Sequence, residues 1–222
     1  FLDGSGNPAT GNVALASDNI IIDAVAPSVL SAGIQHSNSL SVSLMPSLFD
    51  PLPADGQSSG LSFVEINNLG GAASVFPLSN DGSYAWTLEA GIDGPRTIEI
   101  VGVDGAGNRS AKTPFIINYD IAAPTLGAVS ISAGNVVDAV RYLDNATIPI
   151  TLTATGATSV EIAENPAFVG ATVYTTGLDA ITHTVSADDG SKNLYLRARD
   201  DAGNVSTVIE LPLVVDTILP QA

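Results

Sequence analysis

The chain has 222 residues, and its 23 acidic and 7 basic side chains give a formal net charge of −16 at pH 7. This charge argues against nucleic-acid binding and against attraction to anionic membranes, because both depend on clusters of lysine and arginine. The absence of cysteine excludes disulfides and thiolate metal sites. No apolar run reaches the ~18 residues expected of a membrane-spanning helix. We therefore predict no nucleic-acid partner and no membrane insertion.

One short motif recurs along the chain and sets its period. Residues 3–7 read DGSGN, residues 104–108 read DGAGN and residues 200–204 read DDAGN. Each motif is followed by an aspartate that stands four residues before a proline, and these aspartates are Asp23, Asp120 and Asp216. The second and third motifs begin 96 residues apart. This spacing is too long for a solenoid repeat and matches one immunoglobulin-type β-sandwich.

In chain order, the first predicted element is a partial domain at residues 1–26. It holds the first motif and a strand-like run that ends Ile20-Ile21-Ile22. We expect the last turn and the last strand of a preceding domain here. The alternative is that this strand pairs with a neighbouring subunit by strand addition, because an unpartnered strand exposes its edge.

Two complete domains follow at 27–120 and 121–217, and residues 218–222 begin a further linker. The last two strands of each domain alternate apolar and polar residues with a period of two, which is typical of half-buried strands. Their inward positions correspond pairwise: Ile98 and Leu194, Ile100 and Leu196, Gly102 and Ala198, Phe115 and Leu211, Ile117 and Leu213, Tyr119 and Val215. The small Gly102 and Ala198 indicate close approach of the opposite sheet. Pro114 and Pro212 indicate that the last strands lie at sheet edges.

No stretch shows sustained helical periodicity, and turn residues recur every eight to twelve positions, as sandwich folds require. The sequence therefore predicts an all-β fold of tandem immunoglobulin-like β-sandwiches.

Few other side chains favour catalysis or ligand binding. No GxSxG, HExxH or phosphate-loop motif occurs, so we predict no enzyme. His36 and His183 lie in polar stretches beside strands and share no motif, and we expect both at the surface. Trp86 is expected to alternate with its neighbours into the core, although an aromatic ring of this kind can also stack on a sugar. Residues 46–60 form the longest irregular stretch and are the first candidate for direct partner binding.

The end of the second domain resembles a known family. The run LYLRARDDAGNVS at 194–206, followed by VDTILP at 215–220, is similar to the end of a bacterial immunoglobulin-like repeat. In the first domain Asp50 and the later Ser59-Gly60-Leu61 resemble the family's Asp…Ser-Gly-Ile stretch. Such repeats belong to large cell-surface and secreted proteins, including repetitive adhesins. The resemblance implies an extracellular location and neighbouring immunoglobulin-like domains as partners within the chain.

The aspartates of the repeat are candidate calcium ligands. In an immunoglobulin sandwich, the loop between the last two strands lies at the pole where the first strand begins. We therefore expect two acidic clusters, one in each domain. Their members are Asp23, Asp50 and Asp104 in the first, and Asp120, Asp200 and Asp201 in the second. Calcium takes six to eight oxygen ligands and would relieve the repulsion among these carboxylates.

Turn geometry offers an alternative explanation of the repeated motif. An Asp-x-x-Gly-Asn turn is also explained by turn geometry alone, because Asp bonds the nearby backbone and Gly adopts a positive φ. In the second domain the corresponding loop, at 155–157, carries no acid, so a site there would need other ligands. Apart from calcium, the sequence predicts no cofactor.

The leading functional hypothesis is a stalk or spacer module of a bacterial surface protein, with joints stiffened by calcium. Three alternatives stay open, because one fold serves many functions. The chain could be a subunit of a surface filament or layer that self-assembles by strand addition. It could also be an adhesin domain that binds a ligand on a host surface, or an accessory domain of a secreted enzyme.

Overall fold

The structure is a computed structural model that describes residues 22–31, 33–54, 57–138 and 140–218. Every regular element in these ranges is a β-strand, which confirms the predicted all-β fold. The described residues include no helix with the length and apolarity needed to cross a bilayer. Most of the partial domain predicted at 1–26 lies outside the described residues.

The first sandwich contains strands β1 to β9. Their bounds are β1 Ser28–Leu30, β2 Ile34–Ser37, β3 Ser41–Leu44, β4 Ser47–Phe49, β5 Leu61–Asn68, β6 Ser74–Pro77, β7 Tyr84–Thr87, β8 Gly94–Asp104 and β9 Thr113–Tyr119. One sheet has the order β2-β9-β8-β5-β6, while β1 pairs with β4 and β3 pairs with β7. Strand β2 runs parallel to β9, whereas β5 is antiparallel to both β6 and β8.

The second sandwich contains strands β10 to β20. Their bounds are β10 Thr125–Leu126, β11 Ser130–Ile131, β12 Asn135–Val137, β13 Val140–Leu143, β14 Thr147–Thr151, β15 Ala154–Thr155, β16 Ser159–Ala163, β17 Thr172–Tyr174, β18 Ala180–Thr184, β19 Gly190–Arg199 and β20 Ile209–Val215. One sheet has the order β12-β13-β20-β19-β16-β17, a second has the order β11-β14-β18, and β10 pairs with β15.

Each core follows the alternation that the sequence predicts. Ile98 and Ile100 on β8 are fully buried, and so are Leu194 and Leu196 on β19. At the third inward position, a Cβ added to Gly102 would lie 3.5 Å from the side chains of Pro27 and Val29. The opposite layer therefore packs directly on this glycine, as its small size indicates.

The predicted alternation around Trp86 also holds. Tyr84 and Leu88, two positions away on either side, are buried, and Trp86 itself is half-buried. Irregular structure across 46–60 was only partly correct, because β4 lies inside that stretch and pairs with β1.

The prediction that the last strands lie at sheet edges is wrong. Strand β9 lies between β2 and β8, and β20 lies between β13 and β19. The covering strands are short, however: β2 pairs only with residues 116–119, and β13 pairs only with residues 213–215. Pro114 and Pro212 precede these paired residues, so their missing N–H groups break no hydrogen bond to the covering strand.

Within the described residues, no sheet combines strands from before and after residue 120. The chain also divides into two compact units, and this division differs from the division by sheets. The C-terminal compact unit includes Gly33–Val42 and Ala85–Thr97. The domain boundaries at 26/27 and 120/121 therefore stay predictions.

Candidate functional site

The turn after β8, at residues 104–108, is closed by hydrogen bonds. This turn and the segments that contact it are called the first corner, and the equivalent region around residues 200–204 is called the second corner. The Asp104 carboxylate accepts the backbone N–H of Asn108 at Oδ1 and the side-chain amide of Asn108 at Oδ2, both at 2.8 Å. Gly107 has a φ of 91°, a left-handed conformation that favours glycine. Asn108 Nδ2 also donates to the backbone carbonyl of Asp23 at 2.9 Å. The turn is thereby fastened to the segment that leads into β1.

The turn after β19 repeats this geometry. Asp200 Oδ1 accepts the backbone N–H of Asn204 at 2.9 Å, and Oδ2 accepts the side-chain amide of Asn204 at 2.9 Å. Gly203 has a φ of 92°. Asn204 Nδ2 donates to the carbonyl of Asp120 at 2.8 Å. In its two described copies, the motif therefore fastens a turn to the leading segment of its own sandwich through the asparagine side chain.

Ser59 holds the Asp23 carboxylate with two hydrogen bonds, which together are called the serine clamp. Asp23 Oδ1 accepts the N–H of Val25 at 3.0 Å, while its Oδ2 accepts the N–H of Ser59 at 2.7 Å and the hydroxyl of Ser59 at 2.8 Å. These hydrogen bonds, led by that from the Ser59 backbone, lower the pKa of Asp23. The carboxylate is therefore ionised at neutral pH, although the residue is buried. Ser59 was not predicted from the sequence as the residue that orients Asp23, and its only signal was the Ser-Gly stretch of the family resemblance.

Asp50 completes a cluster of three acids. One carboxylate oxygen from each of Asp23, Asp50 and Asp104 lies within 4.8 Å of the other two, and no other such group occurs among the described residues. Asp50 Oδ2 accepts the hydroxyl of Ser58 at 2.8 Å. Asp50 Oδ1 is buried and lacks a hydrogen-bond partner, and it is unique in this among the side-chain atoms of the described residues.

The charge of this cluster is not balanced by basic side chains. The ion pairs of the described residues use other acids, namely Glu65, Glu99 and Glu161. A buried carboxylate oxygen without a partner is costly, and three clustered carboxylates repel one another. An oxygen-ligated divalent cation fits both features, because it would accept the free lone pairs of Asp50 and neutralise its neighbours.

The second corner does not assemble three acids. Asp120 presents its carbonyl to the turn, and its Oδ1 accepts the N–H of Ala122 at 2.8 Å. Asp200 is buried within the turn, whereas Asp201 is exposed. Asp55, a further acid of the 46–60 stretch, lies outside the described residues.

The two histidines differ in solvent exposure. His36 is exposed on β2, as expected. The prediction for His183 is wrong, because only 4% of this side chain is exposed. Strand β18 alternates exposed and buried positions, so His183 shares the inward face with Ile181.

Comparison with known proteins defines the fold. No protein-family model matches the chain, and no curated protein matches it. The fibronectin(III)-like modules of Clostridium thermocellum CbhA are similar over 88% of this chain and 97% of theirs, at 17% identity and a TM-score of 0.53. The FN1-FN3 domains of chicken CNTN1 are similar over 86% of this chain and 64% of theirs, at 13% identity and a TM-score of 0.59. The fold is that of fibronectin type III and immunoglobulin-like β-sandwiches.

Proposed function

We propose that the chain is a non-enzymatic structural module of a bacterial extracellular protein of the repetitive adhesin type. It acts as a stalk or spacer that holds a binding domain away from the cell surface. The observation that carries this proposal is the fastener found twice, in which Asn108 and Asn204 each bond the segment leading into their own sandwich. A hydrogen-bonded leading segment restricts the motion available at a joint between neighbouring domains.

The spacer role is tested by dimensions in solution. Small-angle scattering of the intact chain should give a maximum dimension that changes little between low and moderate ionic strength. The variant Asn204→Ala should broaden the distribution of distances, because the fastener of the second leading segment is lost. Asn145→Ala, a substitution in a turn outside both corners, serves as the control. An unchanged distribution in Asn204→Ala would contradict the mechanical role of the fastener.

We further propose that the corner formed by Asp23, Asp50 and Asp104 binds calcium. The support is the unpartnered Asp50 Oδ1 beside two further carboxylates. Extracellular calcium modules have dissociation constants of about 10⁻⁴ to 10⁻³ M. At a calcium concentration about ten times the dissociation constant, binding would stabilise the sandwich by about 1.4 kcal/mol. This amount is enough to stiffen a corner and far too small to fold a domain.

Calorimetric titration with calcium chloride tests this site. We expect one ion per chain with millimolar or submillimolar affinity, and a higher Tm in calcium than in chelator. Asp50→Asn should abolish both effects. The matched control is Asp201→Asn, which removes an exposed acid of the other corner. The absence of binding heat together with an unchanged Tm in the wild-type chain would remove the calcium proposal and leave the spacer proposal intact.

A ligand-binding role is the second candidate, and one observation favours it. Met45, Phe49 and Leu52 are 57%, 47% and 71% exposed, and Phe49 and Leu52 fall in the stretch predicted to contact partners. Contiguous exposed apolar patches mark binding surfaces, and these three side chains fall between positions 45 and 52. A glycan or host-protein array probed with the wild-type chain and with Phe49→Ser would separate the two candidates. A ligand-binding domain should bind a component of the array and lose that binding in Phe49→Ser, whereas a spacer should bind no component in either form.

A further inference from the structure

The two sheets of the second sandwich meet at one side through a tyrosine and a histidine. Strand β17 is the edge of the six-stranded sheet, and β18 is the edge of the three-stranded sheet. Tyr174 on β17 and His183 on β18 have ring centroids 6.1 Å apart at an interplanar angle of 68°. The Tyr174 hydroxyl lies 2.9 Å from His183 Nδ1. This contact joins two edge strands that belong to different sheets.

The hydroxyl has one hydrogen, and its partners fix how that hydrogen is used. Tyr174 Oη donates to the backbone carbonyl of Thr182 at 3.1 Å. When the hydroxyl donates to this carbonyl, Nδ1 of His183 is the donor to the tyrosine oxygen. A neutral imidazole with its single N–H at Nδ1 therefore completes the series of hydrogen bonds from His183 through Tyr174 to the carbonyl of Thr182.

Among the described residues, Glu164 is the charged group that acts on the imidazole, and its carboxylate is already hydrogen-bonded. Glu164 follows β16, and its carboxylate accepts the N–H and the hydroxyl of Ser186 at 2.5 and 2.6 Å. Lys192 on β19 donates to the same hydroxyl at 2.6 Å. Burial lowers the pKa of His183, and the negative charge of Glu164 opposes that shift only in part. A proton on Nε2 would place an additional donor and a positive charge on a side chain that is 4% exposed.

We propose that Tyr174 and His183 form a pH-sensitive latch that holds β17 against β18 at neutral pH and releases it on acidification. The device acts within the second sandwich and is independent of the spacer and calcium proposals. The first sandwich serves as an internal reference, because its histidine, His36, is exposed and lies on a different strand.

Hydrogen exchange of the intact chain tests the latch. Amides of β17 and β18 should exchange severalfold faster at about pH 5.5 than at about pH 7.5, after correction for the intrinsic rate, whereas β5 and β8 should not change. His183→Gln should remove this pH dependence, and Tyr174→Phe should lower protection of β17 at both pH values. His36→Gln is the matched control and should behave as wild type.

The wild-type chain provides a second measurement that does not depend on the variants folding. Long-range ¹H–¹⁵N spectra of the His183 imidazole should show the Nδ1–H tautomer at neutral pH and protonation at a pH below the ordinary histidine pKa of about 6.5. Protonation of His183 at or above the ordinary histidine pKa of about 6.5 would overturn the latch. Equal corrected exchange of β17 at both pH values would overturn it as well.

Discussion

The corner at Asp104 and the corner at Asp200 have the same turn and different surroundings. In both, an aspartate binds an asparagine four residues later, and that asparagine bonds the carbonyl of the aspartate in the leading segment. Only the first corner adds a third carboxylate and a serine clamp. The two corners separate an observed role of the motif from a proposed one. The hydrogen-bonded fastener needs the turn alone, whereas the proposed ion site also needs side chains from two other segments.

Strand register explains why the third acid is missing from the second corner. Ser28 pairs with Phe49 in the first sandwich, and Thr125 pairs with Thr155 in the second. The residue after Phe49 is Asp50, so its counterpart is Gly156. Gly156 has a φ of 73°, in the left-handed region that disfavours most side chains. The backbone of the second loop therefore selects glycine where the first loop presents a carboxylate.

The largest effect is expected from substitution of the turn aspartate that the two corners share. Asp104→Ala and Asp200→Ala should each destabilise their own sandwich by about 2 kcal/mol, because each removes the carboxylate that accepts two partly buried N–H donors of the turn asparagine. Site-resolved hydrogen exchange in chelator is the measurement, since a chain of two sandwiches need not unfold in one step. A large loss at one corner and none at the other would contradict the equivalence of the two turns.

Gly156 and Asp50 occupy equivalent positions, and their substitution should have different costs. Gly156→Ala should cost about 1–2 kcal/mol, because alanine at a positive φ is strained. Asp50→Ala, measured in chelator, should change stability by less than about 0.5 kcal/mol or increase it, because removal of a buried unpartnered oxygen offsets the loss of the hydrogen bond from Ser58. Thermal unfolding of both variants provides the check. A cost at Asp50 comparable to that at Gly156 would mean that Asp50 has a structural role without an ion.

The features of the two corners that could be predicted from the sequence are those that local sequence patterns encode. Period-two alternation placed Ile98 and Leu194 in the cores, and the motif spacing placed Asp104 and Asp200 at equivalent turns. The meeting of Asp50 with Asp23 followed from one general property of the fold, that certain loops share a pole. None of these inferences required knowledge of individual side-chain contacts.

The remaining features depend on contacts between residues that are distant in sequence. The clamp on Asp23 comes from Ser59, and nothing in the local sequence of either residue specifies that pairing. The edge prediction for Pro114 failed because β2, a strand of four residues, pairs in parallel with β9. His183 was expected at the surface because its neighbours are polar, but strand alternation directs it inward.

A smaller effect is expected from the serine clamp, which exists only at the first corner. Ser59→Ala removes one hydrogen bond to Asp23 and leaves the N–H of Ala106 without its acceptor. We expect a loss of about 1 kcal/mol in the first sandwich and weaker calcium binding. Ser191→Ala, an exposed position on β19, is the control and should have no effect. If calcium affinity were unchanged in Ser59→Ala, orientation of Asp23 by the clamp would not matter to the site.

The smallest predicted effect is a pH dependence that the clamp creates at the first corner. The pKa of Asp23 lies below its ordinary value of 3.8 in the folded chain, because Ser59 and Val25 donate to the carboxylate. Folding therefore favours the ionised form, so the stabilisation is complete above the unfolded pKa and is lost as pH falls through the lower folded pKa. Denaturant unfolding in chelator from about pH 5 to about pH 2 should show this loss in the first sandwich. Asp23→Asn should flatten the slope, and an unchanged slope in that variant would assign the acid sensitivity to other carboxylates.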